Sequence, residues 1–192
     1  MKIIDELLSY SGRLEPRPLS NLDLVVLHCT ELPTLMMARE YGERIVHTDS
    51  HTGNAGHYYL DRDGQIYRYI PDDRMAHHVI GYNQDSIGIE IVNAGRYPDW
   101  YDSKHQTPTE PYPDVQIAAL KDLLRDLKQR FPGLARLARH SDLDTQWMAA
   151  EDDPAVSIRR KIDPGPLFPW DGVLAFWKSL QIHHRDAEKG SS

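Results

Sequence analysis

Residues 22–31 have the sequence LDLVVLHCTE, and the apolar run at 24–27 predicts a buried strand in the middle of a sheet. The run stops at His28, and the polar residues Thr30 and Glu31 follow it. A central strand that ends in a histidine places an imidazole at the edge of the sheet where ligands usually bind. A capping histidine or a hydrogen-bonded core histidine gives the same local pattern, so this stretch alone leaves both interpretations open.

Composition limits the classes of protein to consider. The chain has 192 residues, enough for one domain with a full core, and no apolar stretch approaches the ~20 residues of a transmembrane helix. We therefore expect no membrane insertion. The formal net charge of −7 argues against a nucleic-acid partner, whose binding depends on Lys and Arg. A single cysteine, Cys29, allows no intrachain disulfide and fits a reducing compartment.

Apolar spacing and turn residues predict one α/β domain at 21–182, with an N-terminal extension at 1–20 and a flexible tail at 183–192. The extension is expected to hold one short helix, because its apolar residues fall at helical spacing. In the main domain, Asp63-Gly64 between two tyrosine-rich arms at 57–70 is the clearest hairpin signal. The remaining expected elements are helices at 33–46, 114–131 and 170–182, and strands at 86–93 and 134–138.

The strand predicted at residues 86–93, SIGIEIVN, contains a carboxylate among apolar neighbours. Burial of Glu90 is unfavourable unless the carboxylate is paired, lies near a metal or is protonated. A structural ion pair and a functional site both satisfy that condition, and the strand does not distinguish them.

Two other polar residues share the position of His28 at or just after the end of an apolar segment. They are His140 and Asp163. Two imidazoles and one carboxylate would leave a fourth position open on a tetrahedral zinc ion, which is typical of a catalytic site. The spacing of these residues is not specific, because ten histidines offer many combinations and the chain has no HExxH motif.

Four segments together resemble the zinc-dependent N-acetylmuramoyl-L-alanine amidases, a family that includes muropeptide-recycling amidases, phage T7 lysozyme and the peptidoglycan recognition proteins. The segments are VVLHCTE, GHYYLDRDGQIYRYI, HHVIGYNQDSIGIEIVN, and RHSDLD followed by RKIDPGPLFPW. Each is weak alone, but their order over residues 22–170 is specific. The resemblance implies a mixed central sheet of five or six strands with helices on both faces.

The same resemblance implies a set of site residues. His28, His140 and Asp163 would bind zinc, Glu90 would lie beside the attacking water as general base, and the lysine of KIDPGP, Lys161, would stabilise the oxyanion. This assignment makes 21–182 the catalytic domain of an enzyme that cleaves the amide between N-acetylmuramic acid and L-alanine.

Further residues are assigned by the same alignment of motifs. Tyr58 matches the aromatic residue that follows the histidine of the hairpin strand and is expected to assist catalysis, although a packed hairpin aromatic is the alternative. His78 and Asn83 are expected to contact substrate. Cys29 neighbours His28 on the strand, so its side chain should point to the opposite face as a core thiol.

The family contains non-catalytic peptidoglycan-binding modules as well as enzymes, and such a module is the alternative function. Binding modules usually lack one metal ligand, whereas this chain has a complete set. We expect a monomer that acts on a peptidoglycan fragment or muropeptide in the cytoplasm, because no export signal is visible at the N-terminus. The phage-like segment GYNQDSIGIE favours the other route, release to the periplasm or cell wall without a signal.

Overall fold

A six-stranded mixed β-sheet forms the centre of the protein in the computed structural model, which describes the backbone of residues 1–189 and the side chains of residues 1–181. The sheet has the strand order β1-β4-β3-β5-β2-β6. Its strands are β1 Ile3–Asp5, β2 Leu24–Cys29, β3 Tyr58–Leu60, β4 Ile66–Arg68, β5 Ser86–Ile91 and β6 Arg136–Arg139. The helices are α1 Leu35–Gly42, α2 Asp114–Arg130, α3 His140–Leu143 and α4 Trp170–Lys189. A separate two-stranded ribbon consists of β7 Trp147–Ala149 and β8 Ser157–Arg159.

Strand β2 is completely buried and pairs in parallel with β5 on one side and β6 on the other. The register places His28 beside Glu90 of β5, and Glu90 in turn lies beside Tyr59 of β3. Residues that are paired across neighbouring strands point to the same face of a sheet, so these three side chains lie on one face.

The opposite face of the sheet carries the larger core. Val25 and Leu27 of β2 pack there with the isoleucines of β5 and with apolar side chains from α2 and α4. Leu120, Leu123, Leu124 and Leu127 of α2 are fully buried and form the stripe that the sequence predicts. Helix α1 packs on the other face, where Ala38 joins a second core with side chains from the N-terminal segment. The predicted single α/β domain, with helices on both faces of a mixed sheet, is confirmed.

The hairpin at 57–70 is confirmed, with β3 and β4 antiparallel around a turn in which Gly64 has φ +83°. Strand β3 presents Tyr58 and Tyr59 to opposite faces of the sheet. Tyr58 is fully buried on the α2 face, where its hydroxyl donates to Asp72 Oδ1 at 2.6 Å and accepts from Arg130 Nη2 at 3.0 Å.

The N-terminal segment differs from its prediction. Residues 3–5 form a strand that pairs in parallel with β4, and short 3-10 turns follow at Ser11–Arg13 and Leu19–Asn21. Two adjacent β-branched residues, Ile3 and Ile4, suit an extended chain, and pairing with the edge of the sheet overrides the helical spacing.

Two features near the C-terminus also differ from the prediction. The β7–β8 ribbon lies within residues 147–159, a stretch for which the sequence predicts no strand. Helix α4 continues to Lys189, and residues 190–192 lie outside the described part, so the flexible tail stays a prediction. Within residues 1–189, no helix combines the length and the apolar character needed to cross a bilayer.

Replacing Tyr58 with phenylalanine should lower the free energy of unfolding by about 1–2 kcal/mol, because buried Asp72 loses a hydrogen-bond donor. Urea denaturation would measure the change. Tyr67→Phe on the adjacent strand is the control, because Tyr67 is only partly buried and its hydroxyl makes no hydrogen bond with the described residues. Equal stabilities of the two variants would show that the Tyr58 hydroxyl contributes nothing.

Candidate active site

Three potential metal ligands, His28, His140 and Asp163, converge in the interior of the protein. His28 Nδ1 lies 3.0 Å from His140 Nδ1, and each of these nitrogens lies close to Asp163 Oδ2, at 3.3 Å from His28 and 3.0 Å from His140. All three residues are buried. They are the cluster within residues 1–181 whose donor atoms could hold one ion.

Each ligand comes from a different part of the fold. His28 is in β2, and His140 is the first residue of α3, directly after β6, so both lie near the carboxyl ends of adjacent parallel strands. Asp163 is in the loop after β8, where its backbone carbonyl accepts a hydrogen bond from Ser141 N–H at 3.1 Å. This bond ties the loop to the residue that follows His140.

The donor set fits zinc. In a tetrahedral site with bonds of ~2.0–2.1 Å the donors are separated by about 3.3–3.4 Å, close to the three separations found here. The second carboxylate oxygen, Asp163 Oδ1, is buried without a hydrogen-bond donor among the described residues. An unpaired buried carboxylate oxygen is unfavourable, and a bound cation would compensate its charge.

Electrostatics favour the metal-binding forms of two members of the cluster, His28 and Asp163. Burial and the neighbouring His140 lower the pKa of His28 to about 4, so its ring is neutral near pH 7. Burial raises the pKa of Asp163, but His140, His28 and Lys161 outweigh it and hold that pKa well below its usual range. A neutral imidazole and an ionised carboxylate are the forms that coordinate metal.

A hydrogen-bond chain behind His28 sets its tautomer. Ser86 Oγ donates to the Tyr82 carbonyl at 2.6 Å, so it accepts from His78 Nε2–H at 3.1 Å. His78 Nδ1 is then an acceptor and receives His28 Nε2–H at 3.0 Å. His28 therefore carries its proton on Nε2, and the lone pair of Nδ1 faces His140 and Asp163. This is the tautomer that a metal ligand needs.

Glu90 lies beside this cluster on β5. Its side chain is 15% exposed, and Oε1 is 3.9 Å from His28 Nδ1. Gly56 makes room for it, since a Cβ at that position would lie 2.8 Å from Glu90 Cγ. Burial and the charge of Asp163 raise the pKa of Glu90 to about 8, against an opposing effect of Lys161.

Lys161 lies near the cluster on the loop that carries Asp163 and lines the same pocket. It forms no hydrogen bond or ion pair with the part of the chain that the structure describes, so its ammonium group is available to a ligand. The positive charge of Lys161 lowers the pKa values of His28, Glu90 and Asp163.

These residues open into one cavity of about 530 Å³, a volume within the usual range for small-molecule binding sites. The metal-ligand cluster, Glu90 and Lys161 line it together with residues from α1 and from the loops after α1 and β4. The side chains on that second wall are Tyr41, Arg44, Val46, His47, Asn54, His77 and Ile80.

The remaining predicted site residues take other positions. Tyr58 does not reach the cavity, because it faces α2, and Tyr59, the next residue, lines the cavity instead. Asn83 lies in the cavity wall, but its Oδ1 accepts from the backbone N–H groups of His78 and Val79 at 3.0 and 2.8 Å. His78 also lines the cavity, and both of its ring nitrogens are engaged behind His28.

Sequence reasoning missed Tyr59, because the register that brings it to the cavity is not visible in the local sequence. Glu90 and His28 share a face, so the hairpin residue on that face follows from strand alternation once the register is known. Cys29 behaves as predicted: it is buried, its Sγ is 3.3 Å from the Asn93 carbonyl, and burial raises its pKa.

Two histidines and one aspartate that could hold a metal ion, at the carboxyl edge of a mixed sheet, are typical of α/β proteins with a catalytic metal centre. Comparison with known proteins places the chain more narrowly. Residues 18–166 match the N-acetylmuramoyl-L-alanine amidase family, and the chain belongs to that family.

Individual proteins show the same relationship. The chain is 32% identical over 120 residues to the 1,6-anhydro-N-acetylmuramyl-L-alanine amidase AmpD of Enterobacter cloacae, covering 58% of this chain and 50% of AmpD. It is 27% identical over 117 residues to the endolysin of Klebsiella phage KP32, covering 60% of this chain and 73% of the endolysin. The match thus spans about half the length of the AmpD relative.

A solved structure with the same fold is the N-acetylmuramoyl-L-alanine amidase LysC from Clostridium intestinale. Its TM-score is 0.63 at 22% sequence identity, covering 91% of this chain and 96% of LysC. At this level of identity the match supports the architecture of the sheet and helices.

We expect the purified protein to bind about one equivalent of zinc, because the donor set forms one site. Asp163→Asn should weaken binding strongly in a competition with a chromophoric chelator, since it removes the anionic ligand. His105→Ala, which changes an exposed histidine, is the control. Unchanged affinity in Asp163→Asn would place the metal elsewhere.

Proposed function

We propose that this protein is a zinc-dependent amidase that hydrolyses the bond between N-acetylmuramic acid and L-alanine in peptidoglycan fragments. The observation that carries the proposal is the convergence of His28, His140 and Asp163 on the floor of a cavity that also holds Glu90 and Lys161. Family membership and the activity named for the AmpD relative support the choice of bond.

The three buried donors would hold the ion. When bound, zinc supplies a Lewis acid that polarises the scissile carbonyl and makes water more acidic. The chain's own residues must then move a proton and stabilise the charge that develops on the carbonyl oxygen. The partly exposed Glu90 suits the first task, and Lys161, which pairs with none of the described side chains, suits the second.

Glu90 would act as the general base. Without a cation its pKa is about 8, and this pKa falls when positive charge occupies the three donors, because a nearby cation stabilises the carboxylate. A pKa near the working pH lets one group take a proton from the attacking water and return it to the departing amine. The absence of a side chain at Gly56 leaves room for the Glu90 side chain in this position, since a Cβ there would lie 2.8 Å from Glu90 Cγ.

Lys161 would stabilise the negative oxygen of the tetrahedral state. A cation held in a partly buried site and aimed at developing charge stabilises the transition state more than the ground state. Tyr59 would take the supporting role expected of Tyr58. Its hydroxyl accepts from Gly56 N–H at 3.3 Å, so its own proton is available to orient substrate.

The relatives support the choice of substrate class. The AmpD relative acts, by its name, on 1,6-anhydro-N-acetylmuramyl-L-alanine, whereas the phage relative is an endolysin. We propose soluble muropeptides as the substrate, a cytoplasmic location and action as a monomer. The single cysteine, Cys29, buried and unpaired, supports a reducing compartment.

Mass spectrometry of digests tests the proposal. The protein is incubated with soluble disaccharide peptides and with intact sacculi, with EDTA and after zinc addition. We expect cleavage of the one amide that frees a peptide beginning with L-alanine, loss of cleavage in EDTA and recovery with zinc. Binding without cleavage in zinc would favour the non-catalytic module, and faster release from sacculi would overturn the proposed location.

Glu90→Gln should lower turnover by roughly two to four orders of magnitude, because it preserves the shape of the side chain and removes the base. The zinc content should stay at the wild-type level, since Glu90 is outside the ligand set. Rates on the soluble substrate and elemental analysis measure both. Turnover near the wild-type value would make the carboxylate structural.

Lys161→Ala should reduce kcat by about a hundred- to a thousandfold, the effect of losing one oxyanion donor. Because the expected interaction strengthens in the transition state, KM should change little. Steady-state kinetics separate the two constants. A rise in KM with normal kcat would assign Lys161 to ground-state binding of a substrate carboxylate.

A further inference from the structure

A buried arginine outside the catalytic set connects two segments of the site. The Arg96 side chain is 1% exposed and forms a two-point ion pair with Glu31, with Nε to Oε1 at 2.7 Å and Nη2 to Oε2 at 3.0 Å. Glu31 follows His28 at the end of β2. Arg96 itself belongs to the irregular stretch between β5 and α2.

The other donors of Arg96 reach the opposite side of the site. Nη1 donates to the Arg159 carbonyl at 3.1 Å and to Gln106 Oε1 at 3.0 Å, and Nη2 donates to the Arg160 carbonyl at 3.2 Å. All five N–H groups of the guanidinium therefore have partners. The Arg160 carbonyl belongs to the peptide bond that joins Arg160 to Lys161.

The conformation of the ion-pair partner is also unusual. Glu31 has φ +49°, a left-handed conformation that is uncommon for a residue other than glycine. Its backbone carbonyl accepts from Trp100 Nε1 at 2.9 Å, and Gly95 lies so close that a Cβ there would be 2.7 Å from Glu31 Cγ. The surroundings thus hold the Glu31 carboxylate against Arg96.

The segment that Arg96 contacts, residues 159–160, is also connected to the turn that carries His140. The Arg159 side chain donates to the carbonyls of Ser141 and Asp144 at 2.7 and 3.0 Å, and Arg160 pairs with the Asp144 carboxylate. Residues 141–143 complete α3 after His140, and Asp144 follows it directly. One planar guanidinium, Arg96, therefore links the end of β2 to a segment that is itself fixed to the His140 turn.

We propose that Arg96, held by Glu31, is a positioning residue that fixes Lys161 relative to His28. The inference rests on the proposed function, because it assigns Lys161 to the transition state. Lysine cannot replace Arg96, since an ammonium group lacks the planar fork that contacts Glu31 and two carbonyls at once. A displacement of the order of 1 Å at a catalytic group can reduce the rate about a hundredfold.

The test is a double-mutant cycle on the zinc-loaded full chain with soluble muropeptide. Arg96→Lys should lower kcat roughly ten- to a hundredfold with little change in KM. In a Lys161→Ala background the same substitution should have almost no effect, because Arg96 acts through Lys161. Glu31→Gln, which keeps the shape of the side chain, should repeat both results and provides a second variant if Arg96→Lys folds poorly.

Arg130→Lys is the matched control. Arg130 also contacts a buried carboxylate, Asp72, but it does so on the α2 face away from the cavity. It should destabilise the protein, as measured by thermal unfolding, without a comparable loss of kcat. An equal loss of kcat in Arg130→Lys, or an Arg96→Lys effect that is unchanged in the Lys161→Ala background, would overturn the proposal.

Hydrogen–deuterium exchange separates this inference from the proposed function. Amides of residues 159–163 should exchange faster in Arg96→Lys than in the wild type, and at the wild-type rate in Arg130→Lys. This readout does not require hydrolysis, so it remains valid if the wild-type protein cleaves no muropeptide. Unchanged exchange at 159–163 in Arg96→Lys would contradict the positioning role whatever the activity.

Discussion

The parallel pairing of β2 with β5 and β6 is the constraint on which the site depends. It aligns the carboxyl ends of three strands, so that His28, Glu90 and the turn that begins with His140 share one edge. A shift of one residue in β5 would turn Glu90 into the apolar core and Ile89 into the cavity. The fully buried strand β2 and the isoleucines of β5 fix that register, because only this register directs their apolar side chains toward α2 and α4.

Sheet pairing does not position the third metal ligand. Asp163 and Lys161 lie on a loop, and hydrogen bonds and ion pairs from three arginines, Arg96, Arg159 and Arg160, hold the start of that loop. Buried ion pairs are costly to desolvate and are a poor source of stability, but a planar guanidinium defines directions well. The strands thus place one half of the site, and the arginines connect the other half to it.

The sequence predicts the strands and long helices well, because the apolar patterns of β2, β5 and α2 match the structure closely. It predicts Ile3–Asp5 poorly, since that strand exists only through its partner β4. The metal-ligand set came from family resemblance, because residues 112 and 23 positions apart form no local motif. The sequence motif indicated Tyr58 as a site residue instead of Tyr59. Which of the two faces the cavity depends on a strand register that the local sequence does not specify. No local pattern in the sequence indicates a role for Arg96, because its partners are brought together only by folding.

X-ray absorption spectroscopy of the zinc-loaded protein tests the central claim most directly, because it identifies the atoms bound to the metal without requiring activity. We predict a first shell of nitrogen and oxygen at ~2.0–2.1 Å, with outer-shell scattering from two imidazoles. The fit should lose one imidazole in His140→Ala. A sulfur ligand at ~2.3 Å would contradict the His28, His140 and Asp163 site, and Cys29 is the one cysteine that could supply it. A shell without two imidazoles would contradict the site as well.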